Sequence, residues 1–304
     1  MGAVIGSTSR YGEESQPPPQ ACGRAAVLIA MLFTFGARRG QARLKHTLTG
    51  KIRLHRNFHS KFLPADRDVI VYLPPGYRTI GRRRYPVLYM HDGQNLFDGA
   101  TSFIPGQDWR VDETAQTLIK SKAIEPLIIV GIYNTGEQRM DEYTPTPDAK
   151  IGRGGKADLY GLLLMKELKP FIDAEYRTLV DAANTGLGGS SLGGLVSLYV
   201  GLKHPEIFGK LAILSPSVWW DGGIILRVVE ALPAKTGQRI WLDMGTEESP
   251  YALKGAEALH DALIRKGWTP GADLNFFVAK GAKHTELAWA ERVDPVLRYL
   301  FPVK

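Results

Sequence analysis

The chain has 304 residues, 44% hydrophobic, 23% charged and 10% aromatic, with a net charge of +7. That balance excludes a disordered or fibrous chain and leaves enough apolar surface for a large core. With Cys22 as the single cysteine there is no disulfide framework, and no Cys/His cluster has zinc spacing, so no metal is expected. No P-loop or dinucleotide fingerprint appears, and no cofactor is expected.

The first 42 residues differ from the rest. Residues 1–23 are rich in Gly, Ser and Pro and read as disordered. Residues 25–37 form an apolar run too short to span a bilayer, which needs about 20 residues. Arg24 before it and the small residues Gly40 and Ala42 after it suit a signal peptide, despite the long leader and the basic pair Arg38-Arg39. Residues 1–42 are therefore expected to be a disordered leader plus signal peptide, and residues 43–304 an exported catalytic domain. No stable membrane insertion of that mature domain is expected, and its oligomeric state is not set by the sequence.

Beyond residue 45, apolar runs of strand length alternate with helical patterns. Strands are expected at 69–73, 87–90, 127–132, 211–214, 240–244 and 274–278, and helices at 111–120, 158–174, 192–203, 252–266 and 286–301. Near-continuous apolar strands imply a mostly parallel sheet with helices on both faces, an α/β fold with no separate cap domain. The polar, Gly- and Pro-rich stretch 133–157 is expected at the rim of a site. The triplet Arg82-Arg83-Arg84 precedes a strand and lacks interleaved aromatics, so it reads as a solvated loop and not a nucleic-acid surface.

Gly189-Ser190-Ser191-Leu192-Gly193 reads G-x-S-x-G between a Gly-rich segment, 185–188, and a helical pattern. That context defines a nucleophile elbow, whose tight turn demands small residues two positions either side of the serine. A serine hydroxyl needs a histidine to take its proton and a carboxylate to orient that histidine. His204 lies along the helix that leaves the elbow, and His260 sits mid-helix. His284 sits in a loop between the last strand and the last helix, where this architecture presents its base. The acid should follow the preceding strand, in Gly245-Thr246-Glu247-Glu248. Either glutamate has the reach; Glu248, further into the loop, is preferred. Asp243, inside the strand, reads as structural, and Asp273 lies at the wrong end of the sheet.

Several stretches beyond the elbow carry a resemblance: 87–97 (Val-Leu-Tyr-Met-His-Asp-Gly-Gln-Asn-Leu-Phe), 142–145 (Glu-Tyr-Thr-Pro), 171–178, 189–194, 215–220 (Ser-Pro-Ser-Val-Trp-Trp) and 281–286 (Gly-Ala-Lys-His-Thr-Glu). From about residue 47 to its end the chain resembles the "putative esterase" group of the α/β-hydrolase superfamily. That group includes esterase D, enterochelin-esterase-like proteins and the feruloyl and acetylxylan esterases of carbohydrate esterase family 1. The resemblance implies the α/β-hydrolase fold, Ser191 as nucleophile, His284 as base and Glu248 as acid, where many relatives carry aspartate. It implies a small-molecule or carbohydrate ester as partner: a short-chain acyl ester, a feruloyl or acetyl sugar ester, or a siderophore lactone.

The oxyanion formed on attack needs preorganised N–H donors. One is expected from Leu192, the residue after the nucleophile, and the second from Gly93 or Gln94 in the loop after strand 87–90. Trp219 or Trp220, and also Trp109, are expected to line an acyl or aryl pocket. Two other classes stand beside the esterase: an acyltransferase of the mycolyltransferase type, with the same triad and another acceptor, and a catalytically inactive binding module.

Overall fold

The computed structural model describes residues 45–77 and 81–303; the expected leader lies outside the described residues. The chain runs through β1 (Lys51–Phe58), β2 (Arg67–Leu73), β3 (Val87–His91), α1 (Val111–Lys120), β4 (Ile128–Ile132) and α2 (Arg139–Glu142). A two-residue pairing, β5 (Pro147–Asp148) with β6 (Arg153–Gly154), leads to α3 (Ala157–Leu163) and α4 (Lys169–Glu175). Then come β7 (Thr185–Ser190), α5 (Leu192–Lys203), β8 (Lys210–Leu214), α6 (Ile224–Ala231), β9 (Arg239–Gly245), α7 (Pro250–Arg265), β10 (Leu274–Ala279) and α8 (Glu286–Leu300).

Eight strands form one sheet in the order β1-β2-β4-β3-β7-β8-β9-β10. The six from β4 to β10 are parallel, and β1 and β2 close one edge antiparallel. Consecutive strand residues point to opposite faces. Val87 and Tyr89 of β3 join a core under α3 to α7, while Leu88 and Met90 join a core under α1 and α8. Both faces are therefore apolar, which is why the central strands read as unbroken hydrophobic runs. The expected α/β architecture, a mostly parallel sheet covered on both faces, is the one observed.

The short elements α2, β5, β6 and α6 are absent from the expectation, and three other elements differ from it in instructive ways. β1 was not expected: it alternates Lys, Arg and His with Ile and Leu and is half exposed, as an antiparallel edge permits. β7, Thr-Gly-Leu-Gly-Gly-Ser, is a fully buried central strand with too few large side chains to look like one. The single helix expected over 158–174 is interrupted by a π-helical stretch, Leu164–Leu168. Pro170, at the start of α4, has no N–H to give the carbonyl of Lys166, and the chain widens ahead of it. Among the described residues, no helix is long and apolar enough to cross a membrane.

Candidate active site

Parallel strands in an open sheet present their carboxyl ends, and the loops that follow, along one edge. Here that edge collects Asp92 after β3, Ser191 after β7, Ser215 after β8, Glu248 after β9 and His284 after β10.

Ser191 sits in the turn between β7 and α5 with φ 59° and ψ −123°, a conformation few residues other than glycine adopt. Its backbone is pinned from both sides. Its N–H donates to Leu214 O at 3.1 Å, and its own carbonyl accepts from Ser217 N–H at 3.0 Å. The turn closes over His91, leaving no room for side chains. A Cβ at residue 189 would lie 3.2 Å from the His91 ring, and one at residue 193 would lie 3.3 Å from its Cβ. His91 is buried beneath the elbow, 2.9 Å from Tyr160 Oη, and burial pushes its pKa down to about 3. It is a neutral floor to the turn.

Glu248 and His284 meet across two loops. His284 Nδ1 lies 2.7 Å from Glu248 Oε2. Each stands just before a capped helix. Ser249 accepts the Ala252 N–H at the start of α7, and Thr285 accepts the Ala288 N–H at the start of α8. The Glu248 side chain is 2% exposed, whereas Glu247 is 55% exposed and reaches Lys283 instead. Burial pushes the Glu248 carboxyl up, but bonds from His284, Ser215 and the Gly245 N–H outweigh it and hold it below the usual glutamate range. The His284 and Trp289 rings pack in a T-shaped contact, with centroids 4.8 Å apart.

Ser191 and His284 line one cavity of about 410 Å³, with Asp92, Gln94, Phe103, Asn134, Arg139, Glu286 and Trp289 among the other walls. No hydrogen bond joins Ser191 to His284: the serine hydroxyl lies 3.3 Å from Ser217 Oγ. Catalytic hydrogen bonds commonly tighten only once substrate is bound.

Leu192 opens α5, so its N–H is at a helix N-terminus. Gly93 and Gln94 form the turn after β3. A Cβ on Gly93 would meet the Gly131 carbonyl carbon at 2.6 Å. Gln94 lines the cavity and Gly93 does not; the Gln94 Oε1 accepts from the Asn134 N–H at 3.2 Å. Beside this turn Arg139 grips Asp92 with Nε at 2.7 Å and Nη2 at 2.8 Å, and Asn134 adds a third bond at 2.7 Å. Burial pushes the Asp92 carboxyl up, and the guanidinium more than reverses it. Asn134, Gly136 and Arg139 bring the polar stretch 133–157 to the rim.

The tryptophans lie elsewhere than expected. Trp220 is 0% exposed, a core residue whose Nε1 donates to Thr146 O at 2.9 Å. Trp219 is 59% exposed and borders a separate cleft with Ala149, Ile151 and Arg227. Neither lines the cavity of Ser191, because the chain leaving β8 turns at Ser215 (φ 41°) and brings Ser217, not the indoles, to the serine. Trp109 is buried behind Trp289, with ring centroids 5.4 Å apart. Phe103 and Trp289 supply the aromatic surface instead.

His204 and His260 lie away from the site, His204 beside Glu206 and His260 stacked on Phe276. Asp243 is fully buried on Arg292, and Asp273 pairs with Lys235. Sequence reasoning did not assign Ser215, Arg139, Glu286 or Arg292 to the site; the first three fall in or near stretches that carry the resemblance. Among the described residues, no group of three or more His, Cys, Asp or Glu is placed to hold a metal ion.

This sheet order, with a serine at the sharp turn after its central strand, is the α/β-hydrolase fold. A family model described as "Putative esterase" matches residues 60–289, and the chain belongs to that family. It is 27% identical over 254 residues to the uncharacterized protein YbbA of Bacillus subtilis, covering 80% of this chain and 95% of that one. It is 30% identical over 241 residues to an endo-1,4-beta-xylanase/feruloyl esterase of Xylanibacter ruminicola, covering 76% of this chain but 29% of the relative. It is also 30% identical over 174 residues to the ferri-bacillibactin esterase BesA of Bacillus subtilis, covering 51% and 57% of the two chains. The crystal structure of BES protein from Bacillus cereus superposes with a TM-score of 0.66 at 22% identity, covering 89% of this chain and all of that one. The chain is a carboxylic ester hydrolase.

Proposed function

We propose that the ester is cleaved through an acyl-enzyme on Ser191, with His284 as base and Glu248 as the carboxylate that orients it. The observation that carries this reading is the 2.7 Å contact of His284 Nδ1 with the buried Glu248, in the cavity that Ser191 enters from its strained turn. In this scheme Ser191 Oγ attacks the ester carbonyl, and its proton passes to His284 Nε2. The Nδ1–H stays on His284 and donates to the Glu248 carboxylate, which stabilises the imidazolium. The oxyanion is met by the N–H groups of Leu192 and Gln94; Gln94 is preferred to Gly93 because it lines the cavity. His284 returns its proton to the leaving alcohol. Water, deprotonated by the same histidine, then releases the acid.

The substrate we assign is an ester of an aromatic acid. Phe103 and Trp289 offer aromatic lining, Arg139, Asn134 and Glu286 offer polar partners, and the volume of about 410 Å³ suits a small ligand. The feruloyl esterase relative supports the same reading.

Ser191→Ala is expected to lower hydrolysis of p-nitrophenyl acetate by about 10³ or more while the circular dichroism spectrum is kept. Activity within about tenfold of wild type would overturn the scheme.

A further inference from the structure

Behind the carboxylate of Glu248 lies a buried hydroxyl whose direction is fixed. Ser215 Oγ is 2.5 Å from Glu248 Oε1, 3.0 Å from Trp289 Nε1 and 3.2 Å from Arg292 Nη1. An indole N–H and a guanidinium can only donate. Both lone pairs of Ser215 are thereby engaged, and its one proton points to Glu248. The Gly245 N–H donates to the same Oε1 at 2.8 Å, and Arg292 Nη2 stands 3.5 Å from it. Oε1 thus carries every donor except one, and Oε2 is left to His284.

We propose that Ser215 is a positioning residue for ester hydrolysis: its hydroxyl, oriented by Trp289 and Arg292, locks the rotation of the Glu248 carboxylate and keeps it ionised toward His284. This rests on the triad proposed above.

Ser215 is 1% exposed and does not line the substrate cavity, so it acts through Glu248 and not on substrate. It also holds φ 41°, where a non-glycine residue is strained, at the point where the chain leaves β8. Its N–H donates to Asp243 O and to Asp243 Oδ1, both at 3.1 Å, which ties the strained turn to β9. The charged groups facing Glu248 are His284 in front, Arg292 of α8 behind, and Asp243 of β9 beyond Arg292 at 2.6 Å. Nη1 of Arg292 is shared between Asp243 and Ser215, and Nη2, 3.5 Å from Oε1, makes no hydrogen bond to it, so in the structure the hydroxyl is the side-chain donor on Oε1.

Two variants separate hydroxyl from backbone. Ser215→Ala removes the hydroxyl and keeps the strained φ. Ser215→Gly removes the hydroxyl and relieves the strain. A cost in Tm from the acceptor lost to Trp289 and Arg292 is common to both, so the difference between them reads the backbone alone. Steady-state hydrolysis of an aryl ester by the full chain, followed across pH, is the measurement.

Both variants are expected to lose kcat by about 10- to 100-fold, the worth of a hydrogen bond to a charged group, with KM within about twofold of wild type. In both, the acidic limb of kcat/KM is expected to move to higher pH, since a carboxylate that loses a donor is easier to protonate. A Gly variant with wild-type kcat, or acidic limbs that do not move, would overturn the proposal. Labelling of wild-type Ser191 by a fluorophosphonate keeps this failure apart from failure of the triad: labelling with unmoved limbs removes the role of Ser215 alone.

Discussion

Two glutamates stand side by side after β9, and the geometry divides them sharply. Glu248 is buried and bonded to His284, and Glu247 faces solvent beside Lys283. Glu248→Gln is expected to lower kcat by up to about 10⁴, because an amide can still bond His284 but holds the wrong tautomer. Glu247→Gln should change kcat by less than about twofold, as expected of an exposed pair. Comparable losses in the two variants, measured on one ester, would remove the division. At this scale the sequence is legible where a role is written locally. Ser191 and His284 each stand in a short string that marks them as candidates before any partner is known. Ser215 and Arg139 carry no such signal. Ser215 matters because residues 33 and 77 positions away converge on its hydroxyl, and Arg139 because it grips Asp92 across 47 positions. The choice between Glu247 and Glu248 likewise waits on the loop that brings His284 to one of them.

Elements were read well where hydrophobicity alone defines them and poorly where packing does. β3, β4, β8, β9 and β10 are apolar runs, and each lies within about one residue of expectation at either end. β7 builds a central strand from glycine because its neighbours crowd it: a Cβ at residue 188 would lie 2.6 Å from that of Ala212 and one at residue 189 would lie 3.2 Å from His91, a reason that exists only in three dimensions. After β8, the adjacent indoles at 219 and 220 look alike in the sequence and part in the fold. Trp220 lies in the core beneath β5 and β6, and Trp219 faces solvent. Trp220→Ala is expected to lower stability by about 3–5 kcal/mol, and Trp219→Ala by less than about 1 kcal/mol. Urea unfolding of the two variants checks this. An equal loss in both, or the larger loss at Trp219, would contradict the placement. Neither change is expected to shift the ratio of kcat/KM between an aryl and an acetyl ester by more than about twofold, since neither indole lines the cavity of Ser191. The same ratio should shift in Phe103→Ala, whose ring is at the rim.

At the scale of the whole molecule, the small pair Gly40 and Ala42 after an apolar run puts the start of the domain at residue 43, with residues 1–42 expected as a leader for export. The described residues say where a truncation must stop. His46 Nδ1 lies 2.6 Å from Asp98 Oδ2, the Thr47 N–H donates to Asp98 Oδ1 at 3.1 Å, and the Thr49 N–H donates to Asp112 Oδ2 at 2.6 Å. Asp112 is fully buried, and burial pushes its carboxyl up to about 8. A chain beginning at Arg43 keeps these bonds and should match the full chain in Tm and kcat. A chain beginning at Lys51 takes the Thr49 N–H from Asp112 and leaves Asp98 the Ala100 N–H at 3.0 Å. At about 1–3 kcal/mol for each buried acceptor stripped of its donor, it should melt several degrees lower. Thermal melts of the two truncations test this, and equal Tm values would mean that residues 45–50 do not belong to the domain.

In the proposed mechanism the sheet edge that gathers five loops makes one hydroxyl reactive, and that reactivity can be read directly. The full chain, treated with a fluorophosphonate and digested, is expected to carry one adduct, on Ser191, formed at a rate that falls with Glu248→Gln and vanishes with His284→Ala. An adduct on another residue, or an unlabelled chain that still hydrolyses esters, would contradict the account.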